Sequence, residues 1–280
     1  MTIAVLLTTF NRKQKTLACL ESLKKQDLPE NVVLKIFLTD DASRDGTASA
    51  VKEMFPDVNV YAGTGDLYWA GGMRQTWRKA LSIDTDYYLL LNDDTTFFPG
   101  AISTLLKTSL DKRSEPAIII GSTCDENSGS VSYGGWKLSS KLFWKSTRIH
   151  ADTDAAECDF GNANIMLVPK AVVEKIGILA DHFTHSLADY DYTLRAKKAG
   201  IEVKVAPGFL GSCVDDHGNN WKSQNSTLKE RISYLKSPKG LAYKEYMRFI
   251  QDHFPLSYPT AFVKLWMKTF FPVIWESFKK

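Results

Sequence analysis

Four short apolar runs, separated by stretches of helical periodicity, constrain this chain more than any other feature. Residues 3–9, 32–39, 58–62 and 87–91 each have the length of a buried strand rather than of a helix. Between the first two, residues 12–26 repeat Leu17, Leu20 and Leu23 at helical spacing. A second helix over residues 47–55 follows Ser43 and Asp45, which suit its cap, and a third covers residues 73–83. Strand and helix in alternation predict an α/β fold whose mainly parallel sheet is flanked by helices.

Further along, the pattern changes. Residues 117–121, 164–168 and 202–206 read as strands, and residues 170–176 as a short helix. Residues 187–199 form a longer helix, with Gly200 in the C-cap place. Residues 128–144 are rich in Gly, Ser and aromatic side chains and read as a hairpin or mobile loop. The end of the chain sets Phe262, Leu265, Trp266, Thr269, Phe270, Val273, Ile274 and Phe278 on one helical face, with a break near Pro272. Lys264, Lys268, Lys279 and Lys280 fall off that face. The expected division is one domain over residues 1–221, in halves 1–110 and 111–221, with a helical extension over residues 222–280.

Charge and cysteine usage narrow the function. The chain is net +3 overall, too weakly basic for a nucleic-acid binder. The balance is uneven, because residues 222–280 carry +7 and the remainder −4. Cys19, Cys124, Cys158 and Cys213 form no CxxC pair, which argues against a zinc module and against a disulfide framework. The N-terminus runs directly into a strand without a basic leader, and no uncharged apolar run reaches the roughly 18 residues of a membrane span. A reducing cytoplasm is the expected compartment.

Polar residues gather where the strands end. Tyr87-Tyr-Leu-Leu-Leu runs into Asn92, Asp93 and Asp94, and ligands of open parallel sheets bind at such carboxyl ends. Oxygen ligands there suit Mg²⁺ or Mn²⁺ bridging to substrate phosphates; a plain strand-end turn is the competing reading. Asp40-Asp41 ends the second strand, and Thr8-Thr-Phe-Asn-Arg12 the first, with Arg12 suited to a phosphate. Gly63-Thr-Gly-Asp-Leu-Tyr-Trp-Ala-Gly-Gly72 is not the dinucleotide fingerprint. Gly71 and Gly72 either open a helix whose N–H groups face an anion, or allow helix and strand to pack closely. Asp189 and Asp191 lie in the first turn of a helix, where the dipole favours carboxylates. Asp215-Asp-His217 follows the last strand as a further polar cluster.

Five pieces, in order, carry a resemblance: Thr9-Phe-Asn-Arg12, Asp40-Asp-Ala-Ser-Arg-Asp-Gly-Thr47, Tyr68-Trp-Ala-Gly-Gly72, Leu91-Asn-Asp-Asp-Thr95 and Asp189-Tyr-Asp-Tyr-Thr-Leu-Arg195. Over roughly residues 3–217 the chain resembles family 2 glycosyltransferases with the GT-A fold. It is most similar to the bacterial rhamnosyltransferase branch, related to the galactofuranosyltransferases. The resemblance implies that Thr9, Phe10, Asn11, Arg12, Asp41, Gly71, Gly72, Arg74, Asn92 and Asp93 bind a nucleotide-diphosphate sugar. Asn92, Asp93 and Asp94 match the DXD-type element, with Asn92 at its first acidic position. Asp94, with His217, would hold Mg²⁺ or Mn²⁺. Asp189 matches the catalytic base, and Trp136, Asn162, Asn164 and Asp191 fall on the acceptor side.

The implied reaction is transfer of the sugar to an acceptor hydroxyl with inversion, served by one base, unlike glycoside hydrolysis with its two carboxylates. The implied acceptor is a glycan or polyprenyl-linked saccharide of bacterial surface-polysaccharide synthesis. The aromatic, basic tail then suits peripheral contact with the inner membrane face, or a homodimer contact. A non-catalytic nucleotide-sugar or glycan-binding protein on a degenerate form of the fold is the alternative, which Asn92 and Ala188 leave open.

Overall fold

The computed structural model describes residues 1–110, 115–140, 142–214 and 226–272. Its first part alternates as expected: β1 (Thr2–Thr9), α1 (Lys13–Lys24), β2 (Val33–Asp40), α2 (Thr47–Met54), β3 (Asn59–Ala62), α3 (Tyr68–Ala80) and β4 (Tyr87–Leu91). Next come β5 (Thr96–Phe97), α4 (Ala101–Ser109), β6 (Ile118–Cys124), β7 (Val131–Tyr133), β8 (Gly135–Leu138) and β9 (Ser146–Ile149). They are followed by β10 (Ala156–Cys158), β11 (Phe160–Gly161), β12 (Ile165–Pro169), α5 (Lys170–Ile176), α6 (Ala188–Lys198) and β13 (Val203–Ser212). The last described segment holds α7 (Leu228–Lys236), α8 (Tyr243–His253) and α9 (Tyr258–Phe270).

The central sheet runs in the order β10-β13-β6-β12-β4-β1-β2-β3. β4, β1, β2 and β3 are parallel, so their carboxyl ends share one edge. β12 is inserted antiparallel between β4 and β6, with Ile165 opposite Leu91. The order β4-β1-β2 brings the three polar strand ends side by side. Both faces of the sheet are buried. Ala4 and Leu6 of β1 pack with Met73 and Trp77 of α3 on one face. Ile3, Val5 and Leu7 pack with Cys19, Leu20 and Leu23 of α1 on the other. That two-sided burial is why these strands read as continuous apolar runs.

Several elements differ from the sequence reading. The stretch read as a hairpin or mobile loop contains β7 and β8, and β8 joins β9 and β11 in a second, three-stranded sheet. Trp144 anchors that region. Its ring lies 5.2 Å from Phe160, 5.0 Å from Phe249 and 4.9 Å from Phe254, and its N–H donates to Ser257 Oγ at 2.9 Å. The helical extension comprises three helices among the described residues. On α9, Ala261, Leu265 and Thr269 are buried, whereas Phe262 and Phe270 are exposed. The expected single apolar face is thus split, because α7 and α8 cover only one side of α9. Val273, Ile274 and Phe278 lie outside the described residues.

The structure also moves Asp191 from its expected place on the acceptor side. Its carboxylate is buried between α6 and α8, accepting from Arg195 Nε at 2.9 Å and lying 2.8 Å from His253 Nε2. Periodicity explains the difference: Asp189 and Asp191 are two residues apart on one helix and face different ways. Burial alone would raise the Asp191 carboxyl. Hydrogen bonds and charge from His253 and Arg195 outweigh it and hold the group below its ordinary value of 3.8. Its stabilisation is therefore present at neutral pH and is lost as the pH falls below about 4 and through the lowered folded-state value. Asp191→Ala should destabilise the protein by about 1–3 kcal/mol, because it leaves the buried His253 ring and the Arg195 Nε without their hydrogen-bond acceptor. Denaturant unfolding at pH 7 measures this, and an unchanged midpoint would contradict the clamp.

Candidate functional site

The carboxyl edge of β1, β2 and β4 opens into a cleft of about 380 Å³, within the size range of small-molecule sites. Thr9, Phe10 and Arg12 enter it from the end of β1, Asp41 from β2, and Asp93 from β4. Tyr68 and Trp69 reach it from the start of α3. His185 and Lys239 complete the lining; the sequence reading singled out neither. No local pattern marks those two. Distant contacts bring them there: Glu245 of α8 accepts the N–H of Thr184, next to His185, at 2.9 Å, and the turn that carries Lys239 is held by the carbonyls of Tyr234 and Ser237 at the end of α7.

Each strand end has a defined role in the geometry. Asp41 Oδ1 accepts the N–H of Gly65 at 2.7 Å, and Oδ2 accepts those of Leu67 and Tyr68 at 2.9 and 3.1 Å. One carboxylate thereby shapes the whole turn leading into α3. Asn11, at φ 50°, exchanges two hydrogen bonds with the next turn: its N–H donates to Ser43 Oγ, and its Oδ1 accepts the N–H of Arg44, both at 2.8 Å. Asn11 therefore braces the rim rather than facing the cleft. Thr9 Oγ1 pairs with Thr16 Oγ1 at 2.8 Å. Phe10 is exposed at the mouth.

The three residues after β4 point to three places. Asn92 Oδ1 accepts the indole N–H of Trp69 at 2.7 Å. Asp93 is buried toward α1, 3.3 Å from Thr16 Oγ1 and 3.4 Å from Arg12 Nη1. Burial pushes its carboxyl up to about 6, against the downward pull of Arg12; the adjacent Asp94 charge adds to the rise. Asp94 receives Arg12 Nη1 at 2.6 Å, with Lys15 Nζ at 3.8 Å and Cys213 Sγ at 3.6 Å.

Whether these groups suit a divalent cation follows from the oxygens. Among the described residues, no group of three His, Cys, Asp or Glu side chains converges as a metal cage. Asn92 has committed its side-chain oxygen to Trp69, and Asp93 turns inward. Asp94 remains as the hard oxygen ligand at the edge. A cation there would have to share Asp94 with Arg12, whose Nη1 already donates to Oδ2 at 2.6 Å, and would take its other ligands from phosphate oxygens, as Mg²⁺ commonly does. His217, the other expected ligand, lies outside the described residues.

Asp189 sits across a short bridge. Antiparallel pairing of β12 with β4 lays residues 162–164 against the carboxylate turn, and the Asn92 N–H donates to the Asn164 carbonyl at 3.1 Å. The Asn164 side chain donates toward Cys213 Sγ at 3.5 Å. One residue back, the Ala163 N–H donates to Asp189 Oδ2 at 3.2 Å, while Oδ1 accepts the N–H of Tyr190 at 2.8 Å. Asn162 Oδ1 accepts from Trp136 Nε1 at 3.4 Å, and its amide donates to Tyr190 Oη at 3.1 Å. Trp136, Asn162, Tyr190 and Asp189 therefore form one connected group. Burial pushes the Asp189 carboxyl up to about 6, although the N–H groups of Ala163 and Tyr190 favour its charged form.

Three expected donor residues stand elsewhere. Arg74 is buried on the far side of α3, and its Nη1 donates to the carbonyls of Ala180 and Phe183 at 2.9 and 2.7 Å. It fastens the chain that precedes α6. Gly71 and Gly72 lie inside α3 rather than opening it, and the Gly71 N–H is spent on the Leu67 carbonyl at 3.1 Å. Close packing is the correct reading for Gly72, since a Cβ there would meet Thr8 Oγ1 at 2.0 Å.

With this geometry described, comparison with known proteins places the chain. The sequence pattern of glycosyl transferase family 2 matches residues 4–166, more than half of the chain, so the protein belongs to that family. No curated protein sequence is similar enough to count as a relative. Among solved structures, Staphylococcus aureus TarS residues 1–349 in complex with UDP is similar at TM-score 0.58 and 15% identity, covering 96% of this chain and 79% of that one. Its complex with UDP-GlcNAc gives 0.55 and 13% over the same shares. The mannosyltransferase PcManGT of Pyrobaculum calidifontis, in complex with GDP-Man and Mn²⁺, gives 0.52 and 16%, over 82% of this chain. This chain spans 59% of the mannosyltransferase's length. These likenesses establish the GT-A fold.

Gly72→Ala should lower stability by about 1–3 kcal/mol, since the added methyl group must push α3 off β1. Thermal unfolding checks this; a variant as stable as the parent would mean that the helix–strand contact is looser than described.

Proposed function

We propose that the protein is an inverting glycosyltransferase that moves a sugar from a nucleotide diphosphate to an acceptor hydroxyl. The observation that carries this reading is Asp189, a carboxyl raised to about 6 and joined to the cleft through residues 162–164. A base whose pKa lies just below the working pH is ionised, yet still basic enough to accept a proton. Asp189 takes the proton of the acceptor hydroxyl as that oxygen attacks the anomeric carbon. The N–H groups of Ala163 and Tyr190 keep its carboxylate oriented, and Trp136 and Asn162 flank the acceptor. On the donor side, Thr9, Phe10 and Asp41 receive the nucleoside, and Arg12 lies where the diphosphate meets Asp94. Mg²⁺ or Mn²⁺ held by Asp94 would neutralise charge on the departing diphosphate.

The complexes of the two structural neighbours with GDP-Man and UDP-GlcNAc support a nucleotide-sugar donor. The five ordered sequence pieces favour a dTDP-rhamnose-like or UDP-sugar donor and a glycan or lipid-linked acceptor of bacterial surface-polysaccharide synthesis. Asp189→Asn should lower turnover by about 10²–10⁴-fold while donor binding survives. In the parent enzyme kcat should rise with pH through about 6, as the base ionises. A variant that retains full turnover would sink the assignment of Asp189 as the base, whereas a parent that binds donor without turnover would favour the binding-protein reading.

The reading extends to location. Among the described residues, no helix is long and apolar enough to cross a membrane. Phe262, Val263, Phe270 and Phe271 are nevertheless exposed on and just after α9, in a region rich in lysine. This face suits docking on an anionic cytoplasmic leaflet, with a second copy of the chain as the rival occupant. Trp275, Phe278, Lys279 and Lys280, which would extend it, lie outside the described residues. The parent should co-sediment with vesicles rich in phosphatidylglycerol, and a Phe262→Asp, Phe271→Asp double variant should not. Equal sedimentation of the two would remove the membrane contact from the proposal.

A further inference from the structure

Lys239 lies beyond the stretch matched by the family pattern, yet it reaches the cleft from the turn between α7 and α8. That turn is fixed. Ser237 caps α7 in extended conformation, as the following Pro238 requires. The N–H groups of Gly240 and Ala242 both donate to the Ser237 carbonyl, at 2.9 and 3.0 Å, and the Leu241 N–H donates to the Tyr234 carbonyl at 3.2 Å. A Cβ at position 240 would stand 1.9 Å from the Tyr234 carbonyl oxygen, so the close approach demands glycine. The backbone that carries Lys239 is thus held on both sides. Its ammonium lies over the Phe10 ring, 5.6 Å from the centroid.

The charges of the cleft show what this ammonium is for. Arg12 is drawn onto Asp94 and Asp93. Asp41 is satisfied by three backbone N–H groups. Among the described residues, no carboxylate pairs with Lys239. It presents a compact positive charge with up to three N–H donors at the mouth of a cleft read as a diphosphate site. The geometry points to Lys239 as a donor-binding residue that grips the diphosphate of the nucleotide sugar from the C-terminal region. This rests on the donor-site reading above. The fold thereby closes the site from two ends of the chain, with Phe10 on one side of the mouth and Lys239 on the other.

The test is titration of the full chain with UDP, dTDP and GDP, at low and at high salt. Binding of none by the parent would overturn the donor-site reading itself. For a diphosphate that the parent binds, Lys239→Ala should weaken affinity by about tenfold at low salt, the scale of one charge-assisted hydrogen bond. The gap should narrow at high salt, and Lys239→Arg should restore most of the affinity. Two results would overturn the inference while leaving the donor site standing. One is an unchanged affinity in Lys239→Ala. The other is a loss that is equal at both salt concentrations and is not rescued by arginine.

Discussion

The antiparallel pairing of β12 with β4, Ile165 opposite Leu91, is the constraint on which the site depends. Parallel strands alone would carry the turns of Thr9, Asp41 and Asp93 on one edge and leave Asp189 to another part of the fold. Running β12 backwards starts that strand where β4 ends. Residues 162–164 must then lie against Asn92, Asp93 and Asp94, and the Asn92 N–H to Asn164 carbonyl bond locks them there. Since Ala163 and Asn162 also hold Asp189 and Tyr190, one register sets the position of Asp189 relative to Asp94. A slip of one residue would turn each side chain to the other face of the sheet.

The C-terminal helices brace this arrangement. α8 braces the helix of Asp189 through His253 on Asp191, through the Asp252 carbonyl on Lys198 and through Glu245 on Thr184 before it. Phe249 and Phe254 add an apolar contact with Trp144, which stacks on Phe160 of the second sheet. The helix that carries Asp189 is therefore pinned on the face opposite that residue. A buried ion pair is weak evidence for stability in itself. Here its value is positional, since it fixes the rotation of α6 about its axis and hence the direction of Asp189.

What the sequence revealed follows the range of the interactions involved. The strands β1, β2 and β4 were legible because burial on both faces leaves an apolar run in the sequence, and their polar ends were legible because the apolar run stops. Long-range placement was not. Asp191 and Asp189 differ only in which way the helix turns them. The resemblance put Arg74 among the donor-binding residues, but the carbonyls of Ala180 and Phe183 take its guanidinium. The start of α3 was placed too late because Tyr68 adopts φ 52°, which no propensity scale expects of tyrosine. His185 follows a segment tied to Glu245 of α8, and Lys239 sits in a turn whose position relative to Phe10 is a tertiary matter, so no local pattern announces the cleft.

Backbone strain marks the same ground independently of any motif. The described non-glycine residues with positive φ are Asn11, Ala42, Tyr68, Leu187 and Ala242. Each conformation costs about 1–2 kcal/mol for an L-residue and persists only where its surroundings dictate it. Asn11 stands between Phe10 and Arg12, Ala42 follows Asp41, and Tyr68 itself lines the cleft. Leu187 leads into Asp189, and Ala242 closes the turn that holds Lys239. A fold concerned only with stability would scatter such residues or replace them with glycine. Their concentration at the turns that carry Arg12, Asp41, Asp189 and Lys239 indicates that these turns are set by their tertiary contacts rather than by local preference.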